Sequence, residues 1–185
     1  KCIGMASDGN KAYFAGGLGP AFVLSNRVDI YDGATRTWSN QSLSEARYAP
    51  SVAIVDSNVF FLGGVNATGG SLSNVIDIFD GTNWSTLTMP FSKAWGDAIV
   101  INGLIYLIAN QTNGSESNND VEVYNPSDNT WSTLTLPCNV GTSDPFATDG
   151  TILYTICNDS DTVKVYTPLD DTWNDLQVVV DIGND

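Results

Sequence analysis

Apolar and polar residues alternate along this chain in short runs, and no stretch repeats at the 3.6-residue spacing of a helix. Three apolar runs end in tight turns: SVAIVDSN (51–58), DAIVING (97–103) and PFATDG (145–150). Each leads into a second run, VFFLGG (59–64), IYLIAN (105–110) and LYTICN (153–158), and AYFAGG (12–17) belongs to the same set. A third run ends in a fourth that starts at tryptophan: VDIYDGATRTW (28–38), IDIFDGTNW (76–84), VEVYNPSDNTW (121–131) and VKVYTPLDDTW (163–173). Period-two alternation bounded by Gly, Asn and Asp predicts β-strands. Asp8-Gly9-Asn10, Asp56-Ser57-Asn58, Asn102-Gly103 and Asp149-Gly150 supply residues that tolerate positive φ in the first turn of each unit.

The runs recur in phase. Trp38, Trp84, Trp131 and Trp173 are preceded by Tyr31, Phe79, Tyr124 and Tyr166. A repeat in the forties with four strands per unit is the signature of a propeller blade. The predicted fold is all-β: one domain over residues 1–185, a β-propeller of four four-stranded antiparallel blades at about 1–46, 47–92, 93–138 and 139–185. It is either a complete small propeller or part of a larger one. The aromatics are expected to fill the space between neighbouring blades.

The blades resemble kelch repeats. Gly16-Gly17, Tyr31 and Trp38 in the first, and Gly63-Gly64, Phe79 and Trp84 in the second, reproduce the kelch doublet, aromatic and tryptophan. Blades three and four keep the aromatic and tryptophan but carry Ala109-Asn110 and Cys157-Asn158 in place of the doublet, as a divergent member would. The resemblance implies a binding or scaffolding role, and places Arg47 where kelch repeats often carry arginine near the binding face. Asp32-Gly33 before Trp38 lacks the serine and spacing of an Asp-box, and Gly16-Gly17-Leu18-Gly19-Pro20 lacks the lysine and helix of a phosphate loop.

Composition narrows the chemistry. Seven Lys and Arg face 21 Asp and Glu, a net charge of −14, so the chain lacks the basic footprint of a nucleic-acid binder and is repelled by anionic membranes. No apolar run approaches the roughly 18 residues needed to span a bilayer. The start, Lys1-Cys2-Ile3, has neither an initiator methionine nor a signal-type apolar stretch, and reads as processed or excised. There is no histidine, which removes the usual general base and the commonest zinc and copper ligand. No catalysis and no cofactor are expected. Asn118, Asn119, Asp120, Asp159 and Asp161 lack calcium-loop spacing, so no metal is expected either.

Loops between second and third strands, and links between blades, are the long ones, and in an up-and-down blade both emerge on one face. That face is the expected binding surface, carried by Phe22, Arg47, Tyr48, Phe91, Lys93 and Trp95. The alternative for Phe91 and Trp95 is a plug in the central channel. Sequons stand at Asn40, Asn66, Asn83, Asn110, Asn113 and Asn158, more than chance supplies, and point to a secreted glycoprotein with Asn66 and Asn110 exposed. A Cys138–Cys157 disulfide is expected, with Cys2 left over. The resulting expectation is an extracellular module binding protein or carbohydrate. A structural subunit of a filament or matrix, self-associating or joined to further blades, and an intracellular (cytoplasmic) kelch adaptor are the alternatives.

Overall fold

Alternating side chains become four separate antiparallel sheets. The computed structural model describes residues 1–66, 70–112, 115–116, 119–138, 146–156 and 162–177. Blade 1 contains β1 (Gly4–Ser7), β2 (Lys11–Ala15), β3 (Arg27–Asp32) and β4 (Thr37–Ser42). Blade 2 contains β5 (Ser51–Val55), β6 (Asn58–Leu62), β7 (Val75–Phe79) and β8 (Trp84–Thr88). Blade 3 contains β9 (Lys93–Ile101), β10 (Leu104–Thr112), β11 (Ser115–Glu116), β12 (Asp120–Asn125) and β13 (Thr130–Thr135). Blade 4 contains β14 (Phe146–Thr148), β15 (Leu153–Ile156), β16 (Thr162–Thr167) and β17 (Thr172–Gln177). Strands pair in sequence order within each blade, and β11 extends the free end of β10. The architecture is the expected four-bladed all-β array.

The four tryptophans occupy equivalent places. Tyr31 lies directly across the ladder from Trp38, Phe79 from Trp84, Tyr124 from Trp131 and Tyr166 from Trp173. Ring centroids in these pairs are 4.7–5.0 Å apart, contact distance for tilted and stacked rings. Buried Tyr124 and Tyr166 satisfy their hydroxyls by donating to Asn129 and Asp171.

Three apolar clusters join the sheets. Tyr13, Val28 and Ile30 of blade 1 pack on Val52, Phe61 and Phe79 of blade 2. Phe60, Leu62 and Ile76 meet Ile105, Leu107 and Tyr124 of blade 3. Tyr106, Ile108 and Val121 meet Leu153 and Tyr166 of blade 4. In each cluster the tryptophan comes from the later blade (Trp84, Trp131, Trp173), so every blade turns its aromatic side toward its predecessor. The innermost strands meet in the order β1, β5, β9, β14.

Short turns close the other end. Asp8, Asp32, Asp80 and Asp149 each accept two backbone N–H bonds at 2.6–3.0 Å from the residues that follow.

Candidate functional site

The glycine doublets build the long-loop face. Gly16 and Gly17 both have positive φ, and Gly17 N–H donates to the Arg47 carbonyl at 2.9 Å. Gly63 and Gly64 repeat this one blade later, with Gly64 N–H donating to the Lys93 carbonyl at 2.8 Å. A Cβ on Gly16 or Gly63 would run into those carbonyl oxygens. Each doublet therefore grips the residue that leads into the next blade, which explains why glycine is needed there.

That gripped residue is basic, and its side chain turns inward. Arg47 is fully buried; its guanidinium reaches Asp77 Oδ2 at 2.8 Å and Glu45 Oε1 at 3.2 Å, and donates to the Phe61 carbonyl at 3.0 Å. Arg47 Nε has no partner. Glu45 also accepts from Ser73 Oγ and from Asn66 Nδ2, and Asp77 accepts from Ser44 N–H. Lys93 is buried as well, with Nζ 3.5 Å from Glu122 Oε1, 3.4 Å from the Asp120 carbonyl and 5.4 Å above the Phe91 ring. Burial lowers the Lys93 pKa, and Glu122 opposes that shift. The expectation of two exposed cations is corrected: in both, the carboxylate on the third strand of the same blade draws the base inside, where it links that strand to the start of the first.

Sequence reasoning missed Asp77 and Glu122. Asp29, Asp77 and Glu122 hold one register position, opposite Phe14, Phe61 and Leu107. An acid repeated at that site, with a base ahead of the first strand, was the available signal. In blade 1 Asp29 pairs with exposed Arg27 instead.

Of the expected binding residues, the structure brings Tyr48 and Trp95 together, edge to face with centroids 5.2 Å apart. Trp95 is 42% exposed. Within β9 it is skipped by the ladder between Ala94 and Gly96, two residues before Asp97, which pairs with Ile108; Ala49 and Cys2 stand two residues before Ser51 and Gly4, which hold the equivalent register position opposite Leu62 and Ala15. All three have positive φ, at 60°, 51° and 55°. The backbone bend thus belongs to blades 1, 2 and 3 alike, whereas the projecting indole belongs to blade 3. Phe91 packs edge-on against Trp131 at 4.9 Å. Phe22 is exposed in the short 3-10 turn Pro20–Phe22, beside a cavity it shares with Lys1 and Leu18. An axial cavity of about 290 Å³ is lined by the innermost strands, including Gly4, Ser51, Asp97 and Phe146; neither Phe91 nor Trp95 lines it.

Asn40 and Asn83 are exposed, and Asn83 Nδ2 donates to Asp80 at 3.3 Å within its turn. Asn66 is half-buried and held by Glu45, not freely exposed as expected. Asn110 lies in β10 without a described side chain, and Asn113 and Asn158 lie outside the described residues. So does Cys157, the expected partner of Cys138; Cys138 packs on the third cluster, and Cys2 is a free thiol. Of the calcium-type residues, Asn118, Asp159 and Asp161 fall outside the description, while the Asn119 carbonyl accepts from Leu136 N–H and Asp120 Oδ1 from Thr135.

Residues 98–135 match the Kelch motif. An F-box/kelch-repeat protein of Arabidopsis thaliana is 31% identical over 111 residues, 56% of this chain and 28% of that protein. The solved structure of YjhT superposes with a TM-score of 0.71 at 18% identity, over 97% of this chain and 66% of that one. The chain thus spans little more than a quarter of the curated relative and just under two thirds of the solved one. The motif, the relative and the shared propeller fold agree with the four phased blades, and together they support reading the chain as a divergent relative of the kelch-repeat β-propellers.

Proposed function

We propose that this chain is a non-catalytic interaction module that works outside the cell and engages a protein or glycan partner through the Tyr48–Trp95 pair on its long-loop face. Kelch propellers serve protein interaction, which supports the coarse reading. The observation that carries the finer one is Trp95 itself. A left-handed backbone costs a bulky residue about 1–2 kcal/mol, and Ala49 shows that the bend needs no indole. A half-exposed tryptophan held there and braced by Tyr48 is a preorganised aromatic anchor.

The absence of histidine supports a non-catalytic role. The extracellular setting is supported by the six sequons, with Asn40 exposed on the outer strand β4, and by the chance to join Cys138 to Cys157. Among the described residues no helix is long and apolar enough to cross a membrane.

The test is direct. Immobilised protein is screened against arrays of secreted proteins and oligosaccharides, and the hits are titrated against the Trp95→Ala variant. A loss of about 5–150-fold in affinity (roughly 1–3 kcal/mol) with an unchanged melting temperature is expected. Undiminished affinity of Trp95→Ala overturns the reading. Intact-mass analysis of protein from its natural source tests the setting: sugar on Asn40 and a Cys138–Cys157 bridge are expected, and bare asparagines with free thiols argue for the cytoplasm.

A further inference from the structure

Blade 3 departs twice from the pattern of its neighbours, and the two departures stand two residues apart. The equivalent positions around the start of the first strand are Cys2 and Gly4 in blade 1, Ala49 and Ser51 in blade 2, and Trp95 and Asp97 in blade 3. Blades 1 and 2 make the same bend with small residues, so the fold calls for neither the indole nor the carboxylate. Tyr48 meets the exposed Trp95 edge to face, with the two ring planes 74° apart. Asp97 is exposed and lines the axial cavity beside Gly96, the neighbour of Trp95, and Pro50, two residues after Tyr48. The Ser51 hydroxyl donates to the Gly96 carbonyl at 2.7 Å, which ties the segment between indole and carboxylate to blade 2. Among the described residues the Asp97 carboxylate has no hydrogen bond and no ion pair.

The bases that stand next to this rim in the chain are turned away from it. Arg47, one residue before Tyr48, and Lys93, two before Trp95, are buried against carboxylates of their own blades. The rim therefore presents two aromatic rings and a carboxylate unpaired among the described residues, on a chain of net charge −14. An aromatic face attracts a cation through its quadrupole, and a carboxylate pairs with one directly. A neutral sugar brings no charge for Asp97 to neutralise, and an acidic group is repelled by it. We propose that the rim recognises a cationic side chain, an arginine or lysine on an extended segment of a partner protein, with its charged head between the Tyr48–Trp95 rings and Asp97 at the mouth of the axial cavity. Two residues of strand span about 7 Å, within reach of one such side chain. The assignment rests on the Tyr48–Trp95 anchor proposed above and adds to it the charge of the group that is held.

Titration of the 185-residue chain with short peptides tests this. The probes are the pentapeptide Gly-Ser-Arg-Ser-Gly, blocked at both ends, and its counterparts with lysine, citrulline or glutamate at the centre. The readout is the Trp95 indole N–H signal in NMR, assigned by its loss in Trp95→Phe. Saturable shifts are expected with the arginine and lysine peptides, weakening as salt is raised, and the citrulline peptide is expected to bind at least about 10-fold more weakly than the arginine one. Asp97→Asn, with an unchanged melting temperature, is expected to weaken the arginine peptide about 5–20-fold, and Asp97→Lys to move the preference to the glutamate peptide. Equal affinity for the arginine and citrulline peptides, undiminished binding by Asp97→Asn, or no shift with either basic peptide overturns the cationic assignment. Those outcomes leave the aromatic anchor standing as long as Trp95→Ala still weakens the partners found by array screening. Undiminished affinity of Trp95→Ala for those partners removes the anchor and the cationic assignment together.

Discussion

The guanidinium of Arg47 sits 2.8 Å from Asp77 Oδ2, with both side chains closed off from water. Breaking such a pair strands a buried carboxylate, so Arg47→Ala is expected to cost about 3–5 kcal/mol. Arg47→Lys keeps the charge but cannot reach Asp77, Glu45 and the Phe61 carbonyl together, and an intermediate loss is expected. Urea unfolding checks both. A cost under about 1 kcal/mol for Arg47→Ala contradicts the structural role assigned to the pair.

The doublet contact is separable from the general penalty of a left-handed backbone. Gly103 has φ +78° with open space around its Cα, so Gly103→Ala is expected to cost about 1–2 kcal/mol. Gly63→Ala adds a collision with the Lys93 carbonyl and is expected to cost about 2–4 kcal/mol. Equal losses at the two positions would show that the Gly63 contact with the Lys93 carbonyl adds nothing to stability.

Tryptophan truncations grade the blade interfaces. Trp84→Ala and Trp131→Ala empty space between blades, and about 2–4 kcal/mol is expected for each. Trp38→Ala in the 185-residue chain removes an exposed ring and is expected to cost about 1 kcal/mol or less. Thermal or urea unfolding of the three variants gives the ranking.

Turn aspartates govern the acid limb of stability. Hydrogen bonds from the Thr151 hydroxyl, then from the Thr151 and Ile152 amides, pull Asp149 down to about 2, and backbone amides lower Asp32 and Asp80 in the same direction. A carboxylate whose pKa is lower folded than unfolded contributes stability above the unfolded value, near 4, that is lost as pH falls through the folded value. The melting temperature is therefore expected to decline from about pH 4 to pH 2, and Asp149→Asn is expected to shallow that decline. An unchanged acid limb in Asp149→Asn removes Asp149 from it.

The strands, their order and the tryptophan phasing were legible because a period-two pattern repeated four times leaves little freedom in register. The site was legible only in outline. Tyr48 and Trp95 stood among the expected binding residues of the long-loop face, but their pairing crosses from one blade to the next and has no local sequence mark. Arg47 and Lys93 were misplaced because basic residues in a strongly acidic chain read as surface groups. Their burial depends on Asp77 and Glu122, about 30 residues away, whose alternation looks like ordinary solvent-facing polarity.

The doublet belongs to one sheet and the residue it grips belongs to the next, while that residue's side chain is anchored in its own sheet. A segment cut from one glycine pair to the following pair carries Arg47 but leaves Asp77 behind, because the acid lies beyond the second doublet. A segment cut at the sheet boundary, about 47–92, keeps Arg47, Asp77 and the Gly63-Gly64 doublet together and offers that doublet to whatever comes after. Gene duplication that inserts such a whole-sheet segment lengthens the array with every joint already matched. An array of this build can thus change blade number by whole repeats, whereas blades 3 and 4 carry Ala109-Asn110 and Cys157-Asn158 at the doublet position and lack the glycines of that joint.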